Sequence, residues 1–491
     1  MEDYFSQFRK HIVGINQRYN SAYGEMLMLY ADWIASGRLY SPIEKRITEN
    51  FGSFVGNTHT ETSESGTIMT NSYRRSKEII KKHVNASPED VLISSGFGMT
   101  GVINKFQRIL GLKACGINNY QPCISCSAMI KKPVVFVTHM EHHSNHTSWY
   151  ETVCDVVVVE PNEDLLVDLN IWEQTLQKYA DRPHKFASIT ACSNVTGIVT
   201  PYHEIAALMH RHNAYCFVDF AASAPYYEID MHPKNPAQAL DAIFFSPHKF
   251  LGGPGSSGIL VFNKNLYRLK SPDQPGGGTV DWTNAWGEYK YIDDIESRED
   301  GGTPGFLQTI KAALAIRLKE QMGVSNILRR EEALVKMAFE GFRKIKGVHI
   351  LADNVTERLG VISFYTEDIH YNLIVRLLND KFGIQVRGGC ACAGTYGHYL
   401  LHVGHSQSKA ITDKINRGDL SMKPGWVRLS LHPTMTDAEL SFILNAIEQV
   451  VINHNTWAND YNYNMHTNEF THKHFPDKHP EMIDSWFDLG E

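Results

Sequence analysis

Short apolar runs alternate with amphipathic stretches along the chain from about residue 90 onward. The apolar runs are nearly continuous, as expected for strands that are covered on both faces. Amphipathic stretches such as HEIAALMHRH (203–212) lie between several runs and are typical of helices that cover a sheet. This alternation predicts an α/β fold with a mainly parallel sheet flanked by helices. The seven predicted strands are VLISS (91–95), VVFV (134–137), CDVVVVE (154–160), FASITA (186–191), AYCFVDF (214–220), DAIFFS (241–246) and GILVF (258–262).

A second pattern begins near residue 325 and predicts a smaller α+β domain. Its predicted elements are a helix at 327–345, a strand at 360–365, a helix at 371–382, a strand at 427–431 and a helix at 437–451. The remaining residues are polar, rich in histidine and without periodicity, which is typical of a tail. The predicted division is therefore an N-terminal arm (1–30) that packs on the small domain, a large domain (31–324), the small domain (325–451) and a C-terminal tail (452–491).

Composition narrows the class of protein. A chain of 491 residues is too long for one core, which agrees with two domains. The net charge of −7 gives no basic footprint, so no nucleic-acid partner is expected. There is no signal-peptide-like segment and no apolar run of 18 residues, so no membrane partner is expected. The eight cysteines then indicate free thiols in a reducing compartment, and a cytoplasmic location is expected.

A glycine motif, SGFGMTG (95–101), stands between a predicted strand and a helical stretch. Its spacing fits a dinucleotide fingerprint, but the acidic residue required about 20 positions later is missing. Glycines at a helix N-terminus let free N–H groups approach a phosphate, and Thr100 adds a hydroxyl donor. The motif therefore predicts a phosphate site, with a purely structural turn as the alternative.

Two charged residues at strand ends suggest chemistry on an aromatic cofactor. Lys249, in SPHKFLGGPGS (246–256), follows a predicted strand, and partial burial there would make its amine a usable nucleophile. Asp219 ends another predicted strand, where a carboxylate can hold a protonated pyridine nitrogen. A surface lysine and a strand-end cap are the ordinary alternatives.

Two polar segments lie before these charges. Asn194, in SNVTG (193–197), can donate to a ring oxygen, and His142, in EHHSN (141–145), can stack on a flat ring. A surface turn or a metal site is the alternative for two adjacent histidines, although adjacent side chains diverge and rarely share a metal. We predict no metal site.

Seven motifs, in this order, resemble those of the class V aminotransferase family of fold-type I enzymes: SGFGMTG, EHHSN, SNVTG, VDFA, SPHKFLGGPGS, EDGGTP and RGGCACAG. The family includes cysteine desulfurases and selenocysteine lyases, and the likeness spans about residues 30–450. It implies the fold-type I transferase fold, pyridoxal 5′-phosphate (PLP) as cofactor, a Schiff base on Lys249, and a homodimer with shared active sites. The cofactor-binding residues that it implies are Gly98, Met99, Thr100, His142, Asn194, Asp219, Ser246, His248, Lys249, Gly302 and Thr303, the last two reaching the neighbouring subunit's phosphate.

The cysteine loop, RGGCACAG (387–394), bears on the reaction. Two thiols in a glycine-rich loop are reactive if exposed near positive charge, or structural if buried. Aligned through Arg387, Cys392 matches the desulfurase cysteine that attacks the substrate sulfur, and Cys390 has no counterpart. Arg428 resembles the arginine that clamps the substrate α-carboxylate, with a strand-edge surface arginine as the alternative. Arg387 and Ser36 complete the expected substrate-binding set.

The resemblance therefore predicts conversion of L-cysteine to L-alanine, with catalytic Lys249, Cys392 and His142 and a persulfide passed on to an acceptor protein. Transamination, epimerisation, a selenocysteine or β-lyase reaction and a non-catalytic PLP-binding or sulfur-carrier role remain alternatives. One departure favours them: Ala222 stands where many desulfurases carry a glutamine that contacts the ring hydroxyl. A zinc site at Cys115, Cys123 and Cys126 is less expected than an inserted surface loop, since no second cysteine pair follows.

Overall fold

Strands form where the sequence has its apolar runs. The computed structural model describes residues 1–58, 60–113, 131–475 and 479–490. The strands are, in chain order, β1 (Arg18–Ser21), β2 (Gly24–Leu27), β3 (Leu29–Tyr30), β4 (Asp90–Ser95), β5 (Val134–Thr138), β6 (Asp155–Val159), β7 (Lys185–Thr190), β8 (Tyr215–Asp219), β9 (Ala242–Phe245), β10 (Gly258–Asn263), β11 (Val280–Thr283), β12 (Tyr289–Tyr291), β13 (His349–Ile350), β14 (Val361–Tyr365), β15 (Ile384–Gln385), β16 (Arg387–Gly389), β17 (Trp426–Ser430), β18 (Tyr461–Asn464) and β19 (Glu469–His472).

The seven predicted strands make one sheet in the order β4-β10-β9-β8-β7-β5-β6. Only β10 runs antiparallel to its neighbours, so the prediction of a mainly parallel seven-stranded sheet is confirmed. Every residue of β5, β7 and β9 is buried, which explains why their sequences are apolar without alternation. The carboxyl ends of the parallel strands consequently lie at one edge, where ligands of open α/β sheets bind.

Helices cover both faces of this sheet and the second, smaller sheet. The α-helices are Glu2–Arg9, Ser41–Lys45, Glu64–His83, Met99–Ile109, His143–Tyr150, Leu169–Lys178, Tyr202–Arg211, Ile295–Arg298, Phe306–Met322, Val324–Phe342, Tyr371–Phe382, Gly394–Leu400, His405–Ile415, Asp437–Trp457 and His479–Phe487. Two separate apolar clusters fill the layers on the two faces of the sheet. Among the described residues, no helix has both the length and the apolar character needed to cross a membrane.

The second sheet is antiparallel, in the order β13-β14-β17-β16. Its elements match the α+β prediction closely: the helix expected at 371–382 spans Tyr371–Phe382, and the strand expected at 427–431 is β17. The closing helix runs to Trp457 rather than stopping at residue 451. It is longer because Trp457 packs against Phe382, which gives the last turn an apolar anchor.

Both ends of the chain contact this second sheet and its helices. The arm adds β3 to β15 in parallel and ties Arg9 to Glu439 at 2.6 Å. In the C-terminal segment β18 and β19 form a hairpin, which the aperiodic sequence did not predict. Tyr461 anchors the hairpin by donating a hydrogen bond to the Asp380 carboxylate over 2.8 Å. The three cysteines of residues 115–126 lie outside the described residues.

Candidate active site

A cavity of about 220 Å³ opens at the carboxyl ends of the parallel strands, against the second sheet. It gathers most of the residues that the sequence singles out. The predicted residues that line it are Met99, Thr100, His142, Asn194, Asp219, Ser246, His248, Lys249, Arg387, Cys392 and Arg428. They come from seven separate segments of the chain, so the fold brings together side chains that are far apart in the sequence.

The glycine motif forms an anion cradle at one end of the cavity. The helix begins at Met99, directly after Gly98, whose φ of +80° suits glycine. A Cβ at Gly98 would lie 2.7 Å from Cε1 of His248 and 2.9 Å from Oγ of Ser246, so only a hydrogen fits. The Met99 N–H donates to Ser246 Oγ over 2.8 Å. A helix N-terminus, the Ser246 hydroxyl and the His248 imidazole therefore converge at a position that suits a phosphate.

His142 presents a neutral ring to the cavity. Its Nδ1 accepts a hydrogen bond from the Ser144 N–H over 3.1 Å and so caps the helix that follows. Burial, and secondarily the Lys249 charge, lower the pKa of His142 to about 3. An uncharged, flat imidazole suits stacking on an aromatic ring better than an imidazolium would.

A buried carboxyl group holds the histidine loop in place. Glu141 accepts hydrogen bonds from Thr138 Oγ1 at 2.7 Å, the Thr190 N–H at 2.9 Å and Asn145 Nδ2 at 2.7 Å. These contacts connect the ends of β5 and β7, since Thr138 and Thr190 close those strands. Burial raises the pKa of Glu141 to about 8. The adjacent His142 is thereby fixed relative to the sheet.

Asp219 and Lys249 both line the cavity and influence each other's pKa. Asp219 ends β8 and accepts the Ala221 N–H over 2.8 Å. Burial raises the pKa of Asp219 to about 6, against the opposing effects of this hydrogen bond and of Lys249. Burial lowers the pKa of Lys249 to about 8, while Asp219 acts in the other direction. An appreciable fraction of the amine is therefore uncharged near neutral pH.

Two arginines face the same carboxylate on the other side of the cavity. Arg387 and Arg428 are directly opposite in the register of β16 and β17. Asp32 accepts from Arg428 Nη2 over 2.8 Å and from Arg387 Nε over 3.0 Å. Asp32 was not predicted from the sequence; the available signal was an acidic residue in an otherwise apolar stretch, LYADWIAS (29–36).

Cys392 lies on a tight left-handed turn. Ala391 and Cys392 have φ of +50° and +57°, and the Ala393 N–H donates to the Cys390 carbonyl over 3.0 Å. The His143 N–H donates to the Cys392 carbonyl over 2.7 Å, which fastens the turn to the histidine loop. Cys392 is exposed, whereas Cys390 is half-buried against an apolar cluster.

Asn194 connects this turn to the cavity. Its Nδ2 donates to the Ala391 carbonyl over 2.7 Å, and its expected contact with a ring oxygen stays a prediction. Its Oδ1 is buried and has no hydrogen-bond partner among the described residues. An acceptor is therefore free for a ligand hydroxyl at this position, beside the small side chain of Ala222.

Some predicted residues lie outside the cavity wall. Gly98 stands behind Met99, and Ser36 Oγ donates to the Gly37 carbonyl over 3.1 Å. Gly302 and Thr303 are exposed, and Thr303 Oγ1 donates to Asn57 Oδ1 over 3.4 Å. Their roles in binding substrate or a second subunit remain predictions. Lining residues that the sequence did not suggest are Ile34, Ala35, Phe97, Ser144, Thr190, Cys192, Ala221 and Ala391.

Comparison with known proteins agrees with this arrangement. Over 370 residues the chain is 27% identical to a probable cysteine desulfurase of Halalkalibacterium halodurans, covering 74% of this chain and 84% of the relative. It is 27% identical over 373 residues to a probable cysteine desulfurase of Staphylococcus epidermidis, covering 74% and 83%.

Solved structures share the fold. The cysteine desulfurase of Thermococcus onnurineus superposes with a TM-score of 0.71 at 22% identity, covering 91% of this chain and 98% of that one. CsdA of Escherichia coli gives a TM-score of 0.69 at 20% identity, with the same coverage of 91% and 98%. The predicted fold-type I architecture is thus confirmed. The family model of aminotransferase class-V matches residues 29–443, and the chain therefore belongs to the class V aminotransferase family.

Proposed function

We propose that this protein is a PLP-dependent cysteine desulfurase that converts L-cysteine to L-alanine and leaves the sulfur as a persulfide on Cys392. The observation that carries the proposal is one cavity lined by the amine of Lys249, the carboxyl of Asp219, the guanidinium of Arg428 and the thiol of Cys392. The names of the relatives agree with it. A general amino-acid pocket would not need a thiol at its mouth.

The chemistry of the cavity fits PLP. The cradle of the Met99 helix, with Ser246 and His248, suits the phosphate, and His142 suits stacking on the ring. Asp219 suits the ring nitrogen, because a buried carboxylate stabilises a protonated pyridine. The unpartnered Oδ1 of Asn194 suits the ring hydroxyl. When bound, the cofactor supplies an electron sink for a carbanion at the amino-acid Cα.

Lys249 has the properties required of the proton carrier. Its lowered pKa leaves an uncharged amine that can attach the cofactor and, once released by the incoming amino group, accept the Cα proton. Arg428 orients the substrate by its α-carboxylate, so that the Cα–H bond faces this amine. Neutral His142 avoids placing a second positive charge beside the amine.

Cys392 completes the reaction at the opening of the cavity. Its thiolate attacks the sulfur of the substrate, and an S–S bond forms as the substrate's carbon–sulfur bond breaks. The electron pair of that bond stays with carbon, which gains a proton to give L-alanine. Cys392 is exposed, so a second protein can reach its sulfur.

A second copy of the chain is part of the proposal. Phe97 lines the cavity and is 95% exposed, so its ring is open to contact by a second chain. A neighbouring subunit would cover it and bring its own Gly302–Thr303 segment to the phosphate cradle. The persulfide also requires an acceptor protein and a reducing environment, which agrees with a cytoplasmic location.

The test is a paired assay of alanine and sulfide. Purified protein reconstituted with PLP receives L-cysteine and a reductant, and both products are quantified over time. We expect equal amounts of alanine and sulfide from the wild-type protein. Cys392→Ala should lose most alanine formation while retaining the cofactor's visible absorption.

Cys154→Ala is the control, because Cys154 is a buried thiol far from the cavity, beside β6. Normal alanine production by Cys392→Ala would refute the persulfide step. A PLP-containing protein that is inert to cysteine but acts on other amino acids would replace desulfuration with transamination, epimerisation or elimination.

A further inference from the structure

The substrate side of the cavity contains more charge than one substrate carboxylate requires. Arg387 and Arg428 are cross-strand neighbours, and like charges in that position repel each other. Arg428 is buried, with 5% of its side chain exposed, so little water screens its guanidinium. A negative group between the two arginines is therefore needed for β16 and β17 to pair as they do.

Asp32 is that negative group, and the fold delivers it from the other end of the chain. β3 pairs with β15, which ends two residues before Arg387. Just beyond β3, the Ser430 N–H donates to the Ala31 carbonyl over 2.8 Å and the Ile34 N–H donates to Ser430 Oγ over 3.1 Å. The backbone on both sides of Asp32 is thus fixed to the strand that carries Arg428.

The bridging carboxylate of Asp32 neutralises only part of the charge of the two arginines and uses only some of their N–H groups. Asp32 uses Nη2 of Arg428 and Nε of Arg387, and Arg428 Nη1 donates to the Asn194 carbonyl over 3.2 Å. Nε of Arg428 is buried and has no partner among the described residues. Two guanidinium groups and one carboxylate leave one net positive charge, which matches a single carboxylate group on the substrate.

We propose that Asp32 restricts this pocket to amino acids that have one carboxylate. The proposal rests on the function above only in that the pocket binds an amino acid. The α-carboxylate takes the remaining charge on Arg428. A second carboxylate, as in L-aspartate, finds Arg387 already paired and meets the negative charge of Asp32. Asp32 is thus a positioning and selectivity residue that acts through the two arginines.

Binding of L-alanine and L-aspartate to the PLP-loaded protein, measured by isothermal titration calorimetry, tests this. We expect the wild-type protein to prefer L-alanine. Asp32→Asn keeps the shape and removes the charge, so the preference should fall by about tenfold, the size of one partly screened charge interaction. Asp32→Glu restores the charge and should keep most of the preference.

Two further variants complete the design. Arg387→Gln removes one of the two positive charges that offset the Asp32 carboxylate, so the preference for L-alanine over L-aspartate should increase. Asp413→Asn removes an exposed carboxylate on the helix His405–Ile415 and should change nothing. If Asp32→Asn folds poorly, the increase in Arg387→Gln still decides the question.

The proposed role of the Asp32 charge would be overturned if Asp32→Asn kept the wild-type preference for L-alanine over L-aspartate. It would also be overturned if Asp32→Glu lost as much of this preference as Asp32→Asn. Failure of L-alanine to bind the wild-type protein would overturn it as well. L-cysteine turnover is measured on the same samples. A protein without turnover whose amino-acid preference still follows Asp32 would refute the desulfurase proposal and leave this inference intact.

Discussion

The two sides of the cavity are built differently. The cofactor side consists of residues at the ends of buried parallel strands, such as Asp219 after β8 and Ser246 after β9. The substrate side joins the N-terminal arm to the second sheet and to a left-handed turn at Cys392. The strand ends belong to a rigid, fully buried layer. The substrate side depends on a few long-range contacts, so reaction specificity can change there without disturbing the sheet.

The largest effect should come from the cofactor side. Lys249→Ala removes the amine from the cavity, so under the proposed function both cofactor attachment and proton transfer should be lost. Turnover should fall by a factor of about 10³ or more, as for removal of a nucleophile that is also the base. The visible absorption of the PLP-loaded protein and its rate of alanine release measure both losses. Lys264→Ala, at the exposed end of β10, is the control. Near-normal turnover in Lys249→Ala would contradict the assignment.

On the substrate side, Arg428 and Arg387 should differ. Arg428→Gln removes a buried guanidinium and leaves Asp32 without its closest partner, so kcat/KM should fall by about 10²-fold or more. Arg387 is half exposed, and Arg387→Gln should cost about tenfold or less. Steady-state kinetics with L-cysteine gives both values. Equal losses in the two variants would mean that Arg387 contributes as much to kcat/KM as Arg428, against the prediction.

A pH experiment tests the cofactor side alone. With a pKa of about 8, Lys249 becomes uncharged as pH rises, so uptake of PLP by the cofactor-free protein should accelerate through pH 8 and then level off. Asp219 raises this pKa, and Asp219→Asn should therefore move the midpoint to lower pH. Stopped-flow absorbance follows the uptake. Asp413→Asn serves as the control. A shift of the midpoint to higher pH in Asp219→Asn would contradict the prediction.

The smallest effect concerns the strain in the cysteine turn. Ala391 has a φ of +50°, a conformation that costs a non-glycine residue about 1 kcal/mol. Ala391→Gly should therefore raise the free energy of unfolding by up to about 1 kcal/mol. Ala393 has a φ of −134°, which is unstrained for alanine, so Ala393→Gly should lower the free energy of unfolding. Urea denaturation compares the two, and a loss of stability in both variants would show that the turn is not strained.

The same contrast explains what the sequence could predict. Strands buried on both faces have long apolar runs, so all seven were found within a residue or two, together with Asp219 and Lys249 at their ends. Asp32 was missed because its ion pairs join it to strands more than 350 residues further along the chain. The β18–β19 hairpin was missed because its outer face is polar and because Tyr461 and Asn468 bind to residues some 80 to 100 positions earlier in the chain, on the helix Tyr371–Phe382.

The separation between Asp32 and its arginines, 355 and 396 residues, has a consequence for how the protein is made. The sheet and its glycine cradle are complete in the chain by residue 263, while the partner strands of Asp32 emerge from the ribosome much later. A nascent chain stalled before residue 426 could form the cradle but not the paired arginines. Synthesis itself thus delays the pairing of Asp32 with the two arginines until the chain is nearly finished.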